Sequence, residues 1–147
     1  MPAVYKNLGV EFDYPENWTL VEEETEAWPR EIHVETSEHA FWTLQIHSSQ
    51  NPRVLAAHAL EVMRGEYENV ESEPVTEVIE NVEFVGFDLN FYCYDFLVAA
   101  KIRAFTLGAL TLLLLYQGED RDFDRMEPVF MAMIVSLVRH HQQAALR

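Results

Sequence analysis

The sequence of 147 residues contains few of the residues that mark several common protein classes. Its one cysteine, Cys93, excludes an internal disulfide framework and a cysteine-rich metal site. Five glycines and six prolines are too few for a fibrous chain, and 49% apolar residues are too many for a disordered one. We therefore expect one folded domain over residues 1–147, with enough apolar surface to bury a core.

Long apolar runs and basic residues are also scarce. The most apolar stretch, residues 104–116, is much shorter than the roughly 20 residues of a membrane-spanning helix. Ten Lys and Arg against 25 Asp and Glu give a net charge of −15, which repels phosphate backbones and anionic lipid. The first residues have no apolar segment typical of a secretory signal. We expect a cytoplasmic protein that binds neither nucleic acid nor membranes.

The negative charge is concentrated in the first two thirds of the chain. Residues 1–95 contain 20 acidic and 4 basic side chains, whereas residues 96–147 contain 5 and 6. No linker rich in Gly, Ser or Pro separates the two parts. This distribution predicts a single domain with one acidic side.

Alternating hydrophobicity predicts most of the secondary structure. Strands are expected at residues 10–14, 18–21, 31–35 and 39–48, with Val34 opposite Trp42 in the hairpin of the last two. Three longer strands are expected near residues 82–95, 99–107 and 110–117, with a turn at Gly108.

Two amphipathic segments predict helices. Asn51 and Pro52 are typical of a helix start, and the first helix is expected to run to about residue 67. Its predicted core-facing stripe is Leu55, Ala59, Val62 and Met63. A second helix is expected over residues 123–140, with Asp122 as its N-cap and Phe123, Met126, Phe130, Met133 and Leu137 buried. The order of strands and helices predicts an α+β fold with a helix-covered antiparallel sheet.

Three segments carry a family resemblance: residues 12–18 (FDYPENW), the strand-rich residues 86–117, and Phe130-x-x-Met133-x-x-Ser136-Leu137. Together they resemble the superfamily of the photosystem II extrinsic protein PsbP and the Mog factor that acts on the Ran GTPase. The resemblance implies a single-domain α/β/α sandwich whose mostly antiparallel central sheet has about six or seven strands, with one internal and one C-terminal helix. It does not imply one activity, because similar domains serve as photosystem subunits, GTPase partners and secretion chaperones.

The alternation within the strands predicts a polar sheet face. If the strands share one sheet, this face collects His33, Gln45, His47, Asp88, Tyr92, Lys101 and Arg103. One interpretation is a polar ligand cleft in which Lys101 or Arg103 binds an anion and His33 or His47 carries a proton. The alternative is an ordinary half-solvated sheet with cross-strand charge pairs.

A second candidate surface is the acidic segment Glu22, Glu23, Glu24 and Glu26, which precedes Trp28. It is either a solvated loop or an acidic rim around an exposed tryptophan that meets a basic protein surface.

Motifs for metals and catalysis are weak. His33 and His47 could approach each other on neighbouring strands with Glu31 or Glu35, but an acidic protein with six histidines offers such combinations in any case, and HExxH is absent. The acidic run from Asp120 has Arg125 and Met131 where a calcium loop needs Gly and Glu. There is no GxSxG motif, and the position of Cys93 predicts a buried, inert thiol. We expect no metal, no cofactor and no catalytic residue.

The leading hypothesis from the sequence is a non-enzymatic module that binds a basic protein partner through its acidic surface. The alternative is a small-ligand-binding protein or weak enzyme that uses the polar sheet face. A monomer and a homodimer both remain open.

Overall fold

A computed structural model gives the structure of residues 2–23 and 28–146. Its elements are β1 (Pro2–Asn7), β2 (Val10–Pro15), β3 (Thr19–Glu23), β4 (Arg30–Glu35), β5 (Phe41–Ser48), α1 (Pro52–Glu66), β6 (Glu71–Ile79), β7 (Val82–Cys93), β8 (Phe96–Leu107), β9 (Leu110–Glu119) and α2 (Asp120–Ala145). The α+β class predicted from the sequence is confirmed.

The central sheet has seven antiparallel strands in the order β3-β4-β5-β9-β8-β7-β6, and β1 and β2 form a separate hairpin. The predicted register is confirmed, because Val34 pairs with Trp42. Strands β1 and β6 were not predicted. Strand β6 has exposed Glu71 and Glu73 and contains Pro74, a composition that suits a sheet edge. Because of these residues, its hydrophobicity pattern does not indicate a strand.

Helices cover both faces of the sheet. On one face, α2 and the β1–β2 hairpin pack over a core that includes Trp42, Leu44 and Ile46 of β5. On the other face, α1 packs over β7, β8 and β9, where Leu89 and Ile102 are buried. The apolar rows of β5 and β7 therefore point to opposite sides of an α/β/α sandwich.

The helix starts differ in how well the sequence predicts them. The side chain of Asn51 accepts a hydrogen bond from the Arg53 N–H at 2.9 Å, which confirms the predicted start of α1. The prediction of Asp122 as the cap of α2 is wrong, because β9 leads directly into the helix and the cap position is Glu119. Asp120 and Asp122 instead lie in the first turn, where the helix dipole favours carboxylates.

The two short motifs near the chain ends pack against each other. The ring of Trp18 meets Phe130 edge-on at a centroid distance of 5.6 Å. The Asp13 N–H donates a hydrogen bond to Ser136 Oγ at 2.9 Å. Phe130, Met133 and Leu137 are buried, as predicted for the last helix. These motifs are structural parts of the fold.

Candidate functional site

A groove of about 530 Å³ lies between α1 and strands β4 and β5. It exists because α1 crosses the β7–β9 part of the sheet and leaves the neighbouring part of the same face open. The floor of the groove comes from the sheet, and its longest apolar wall comes from α1. The main lining residues are Glu31, His33, Phe41, Thr43, Gln45, His47, Leu55, Ala59, Val62, Met63, Leu113 and Leu115.

The pleat of β5 explains why polar side chains form this floor. Thr43 pairs with Leu115 and Gln45 pairs with Leu113, so the odd-numbered residues of β5 share a row with leucines of β9. The even-numbered residues of β5 point into the opposite core. The floor is therefore polar toward β4 and apolar toward β9.

His47 is buried in the floor, with 7% of its surface exposed, the same fraction as Thr43. Its Nε2–H donates to Gln45 Oε1 at 3.1 Å, and its Nδ1 accepts from Gln50 Nε2 at 3.4 Å. Burial lowers the pKa of His47, because an imidazolium loses hydration there. The ring is thus a neutral hydrogen-bonding group.

His33 is the second imidazole of the floor, and it is half-buried. Its Nδ1 lies 2.8 Å from Thr43 Oγ1, and its Nε2 lies 3.8 Å from Glu35 Oε2. The ring packs beside Phe41 at a centroid distance of 5.1 Å. These contacts fix the ring while leaving one nitrogen without a short hydrogen bond to the described part of the chain.

The role of α1 as a groove wall was not predicted from the sequence. The predicted core-facing stripe of this helix is correct for Leu55 and Met63, which are buried. Ala59 is half-buried and Val62 is exposed, and both overhang the groove. An apolar stripe on a helix does not indicate which part of the underlying sheet the helix leaves uncovered.

Arg103 lies on the other face of the sheet and is only 1% exposed. Its guanidinium donates to Glu77 Oε1 at 2.8 Å and Asp88 Oδ1 at 2.7 Å, and to the carbonyls of Ile102 at 3.0 Å and Phe87 at 3.3 Å. Burial alone would lower the pKa of Arg103, but the hydrogen bonds and charges of these carboxylates outweigh burial and raise it. This arginine links β6, β7 and β8, and its N–H groups donate to groups of the sheet rather than to a bound anion.

The predicted set of seven ligand-binding residues is divided between the two faces. The groove contains three of them: His33, Gln45 and His47. The face covered by α2 contains Asp88, Lys101 and Arg103. Tyr92 lies in the same row of β7 as Asp88, at the exposed end of that strand. Lys101 forms an ion pair with Glu127 of α2. The expectation of one shared face is wrong, because the polar row of β5 and the polar row of β8 point in opposite directions.

The predicted partner surface is described only in part. Glu22 and Glu23 lie on the edge strand β3, and Glu22 accepts a hydrogen bond from Asn7 Nδ2 at 3.0 Å. Trp28 is exposed, and the guanidinium of Arg30 lies 4.8 Å from the centre of its ring. Glu24 and Glu26 lie outside the described residues.

Metal ligands and reactive groups are not gathered in the described ranges 2–23 and 28–146. His33 pairs with Thr43, four positions from His47, and no three His, Cys, Asp or Glu residues there are placed to hold a metal ion. Cys93 is half-buried rather than buried, because it lies near the end of β7. In the same ranges, no helix is long and apolar enough to cross a membrane.

Neither a protein-family model nor a curated protein matches this sequence. Among solved structures, the fold is similar to cyanobacterial PsbP (CyanoP) from Synechocystis sp. PCC 6803, with a TM-score of 0.65 and 10% identity over 92% of this chain and 90% of that chain. It is also similar to PA94, a Pseudomonas aeruginosa protein of unknown function (TM-score 0.55, 13% identity, 93% and 96% covered). LpqN, involved in cell envelope biogenesis of Mycobacterium tuberculosis, gives a TM-score of 0.55 at 13% identity, with 90% and 86% covered. These similarities show a PsbP-like fold.

Proposed function

We propose that this protein binds a small, mostly apolar molecule with a neutral polar end in the groove between α1 and strands β4 and β5. The observation that carries the proposal is the groove itself, in which leucine, valine and methionine side chains face the imidazole of His47 and the amide of Gln45. Glu31, His33 and His58 complete its polar lining. Apolar walls supply affinity in such sites, and a few polar groups set orientation.

The charges of the groove limit the ligand class. Glu31 is one of the lining residues, so an anionic ligand would meet a like charge. His47 is neutral, and its amide partners can rotate to donate or accept. A neutral molecule that hydrogen-bonds at one end, such as an alcohol, amide or ketone with an apolar body, fits this arrangement.

Binding without catalysis is the form of the proposal that the lining supports. No serine, cysteine or lysine occurs among the described lining residues, and the hydroxyl of Thr43 is buried, with 7% of the residue exposed, and lies 2.8 Å from His33 Nδ1. His33 and His47 are separated along the sheet and share no hydrogen bond in the described structure. A general acid–base pair that acts on one bond needs closer groups.

The test uses the neutral fluorescent probe N-phenyl-1-naphthylamine and two variants of α1. Val62→Glu places a charge in the groove, whereas Val54→Glu places the same charge on an exposed position of the same helix that does not line it. We expect Val62→Glu to weaken probe binding about tenfold or more and Val54→Glu to leave it unchanged. Equal binding by both variants, or no binding by the unaltered protein, would contradict the proposal. Native mass spectrometry of freshly purified protein would then report the mass of any bound molecule.

A second candidate function is the binding of a basic protein partner through Glu22, Glu23, Glu24, Glu26 and Trp28. The net charge of −15 and the exposed indole of Trp28 favour it, and so does the resemblance to Mog, which acts on a GTPase. A partner captured by the unaltered protein and by His47→Gln, but lost with Trp28→Ser, would support this function. Loss with His47→Gln alone would exclude it.

A further inference from the structure

We propose that the tip of the β7–β8 hairpin docks a Lys- and Arg-rich segment of another protein. The aromatic tip is defined here as Tyr92, Tyr94 and Phe96. It is separate from the groove residues, so the proposal does not depend on ligand binding there.

Exposure is the first observation. The exposed fractions of Tyr92, Tyr94 and Phe96 are 66%, 96% and 54%, within five consecutive residues. Tyr92 pairs with Leu97 and Phe96 pairs with Cys93, so Tyr92 and Phe96 lie on opposite faces of the hairpin, with Tyr94 between them in the chain. The exposed aromatic side chains therefore surround the end of the hairpin, whereas exposed apolar residues on ordinary surfaces are scattered singly. Tyrosine is also enriched among the residues that dominate binding energy at protein interfaces.

The backbone of the tip is the second observation. Pairing between β6 and β7 ends at Glu71 and Asn90, so residues 91–93 have no strand partner on that side within the described chain. An unpaired edge of this kind accepts an extended segment through main-chain hydrogen bonds. Tyr67, which follows α1, stacks on Phe91 at a centroid distance of 4.2 Å and supports the base of the tip.

The third observation is the charge around the tip. Residues 65–73 and 90–97 contain no Lys, Arg or His, but they contain five carboxylates: Glu66, Glu68, Glu71, Glu73 and Asp95. The register places Glu71 and Glu73 beside the end of β7, opposite Asn90 and Asp88. The nearest preceding base, Arg64, is engaged by Glu61 at 3.3 Å and by Ser72 at 2.9 Å.

This charge selects the occupant. A second copy of the chain would bring the same carboxylates to the contact and would be repelled. Anionic lipid would be repelled for the same reason. A Lys- or Arg-rich segment gains attraction from the carboxylates, and guanidinium groups also stack favourably on tyrosine rings. The aromatic tip therefore fits an extended basic segment better than either of the other occupants.

The test measures binding of fluorescently labelled octa-arginine by anisotropy at about 150 mM salt. The variant Y92S/Y94S/F96S keeps the net charge, so any loss of affinity reports the aromatic rings rather than the field. We expect at least about fivefold weaker binding by this variant. Val78→Ser removes an exposed apolar side chain at the far end of β6, and we expect it to bind like the unaltered protein.

A single substitution keeps the proposal testable if the triple variant folds poorly. The φ of Tyr94 is 55°, in the left-handed region that glycine adopts at lower cost, so Tyr94→Gly should fold at least as well as the unaltered protein. We expect this variant to bind octa-arginine about twofold more weakly. In the unaltered protein, we expect the amide NMR shifts caused by the peptide to be confined to the tip and to residues 65–73.

Three outcomes would overturn the proposal. Equal peptide binding by the triple variant would show that charge alone attracts the peptide. Amide shifts confined to another surface would place the docking site elsewhere. A concentration-dependent dimer, or binding to phosphatidylcholine vesicles, that is lost in the triple variant would assign the tip to a different occupant.

Discussion

Gly86 lies directly across from Arg103 in the β7–β8 pair, where the two strands approach unusually closely. A Cβ atom on Gly86 would lie 1.8 Å from the carbonyl oxygen of Ile102. The same oxygen accepts a hydrogen bond from Arg103 Nη1 at 3.0 Å. The glycine therefore permits the close backbone approach at the point where the buried guanidinium is held.

Gly86→Ala is expected to destabilise the fold by at least about 2 kcal/mol, because the new methyl group overlaps backbone atoms that cannot rotate away. Chemical denaturation gives the free energy of unfolding. Gly65→Ala in α1 is the control, since nothing lies within 4 Å of the position that its new methyl group would take. There we expect a gain of up to about 1 kcal/mol from helix propensity. An unchanged stability of Gly86→Ala would disprove the close approach.

Arg103→Met is expected to lower the free energy of unfolding by about 2–4 kcal/mol, because Glu77 and Asp88 lose their common partner. The matched substitution Arg53→Met removes an exposed ion pair with Glu83 and should cost less than about 1 kcal/mol. Adding Glu77→Gln and Asp88→Asn to Arg103→Met should recover part of the loss. If the two arginine variants are equally stable, the buried network contributes little.

Protonation of His47 is expected to make the fold less stable in mild acid. Its pKa is lowered in the folded state, so below about pH 6.5 the unfolded chain binds the proton more readily. The contribution is complete above about pH 6.5 and is lost as the pH falls toward the lowered pKa.

Denaturation curves at a series of pH values check this expectation. His47→Gln should flatten the loss of stability below about pH 6.5, whereas His39→Gln, at an exposed position, should not. A pH profile of His47→Gln that matches the unaltered protein would assign the acid sensitivity to other groups.

Added salt is expected to stabilise the protein. The net charge of −15 makes the folded chain repel itself, and salt screens that repulsion. The melting temperature should rise between about 20 and 150 mM NaCl. A fall over this range would mean that attractive ion pairs, such as those of Arg125 with Glu38 and Asp122, outweigh the net repulsion.

The sequence predicts the register of β4 and β5 because two apolar rows and a short connection leave one alignment that buries Val34 and Trp42 together. It predicts the start of α1 because Asn51 and Pro52 are local signals. It does not reveal β6, since an edge strand that carries glutamates and Pro74 lacks the alternation of a half-buried strand.

The candidate site is predicted only in part, and the reason is geometric. Side chains alternate between the two faces of a strand, so the sequence shows that Lys101 and Arg103 lie on one face of their strand. It likewise shows that Glu31, His33 and Glu35 lie on one face of theirs. It does not show which of two helix-covered faces a row takes. Strands β5 and β8 are joined through β9, and only that pairing reveals that their polar rows diverge.

Strand β5 contributes to two surfaces, one apolar and one polar, on opposite faces of the sheet. Trp42, Leu44 and Ile46 are fully buried in the core beneath α2, while Thr43, Gln45 and His47 line the groove. Substitutions at the second set change the proposed binding surface without opening a cavity in the first. The lining of the groove can therefore change through alternate residues of one strand, while the other residues of that strand preserve the core.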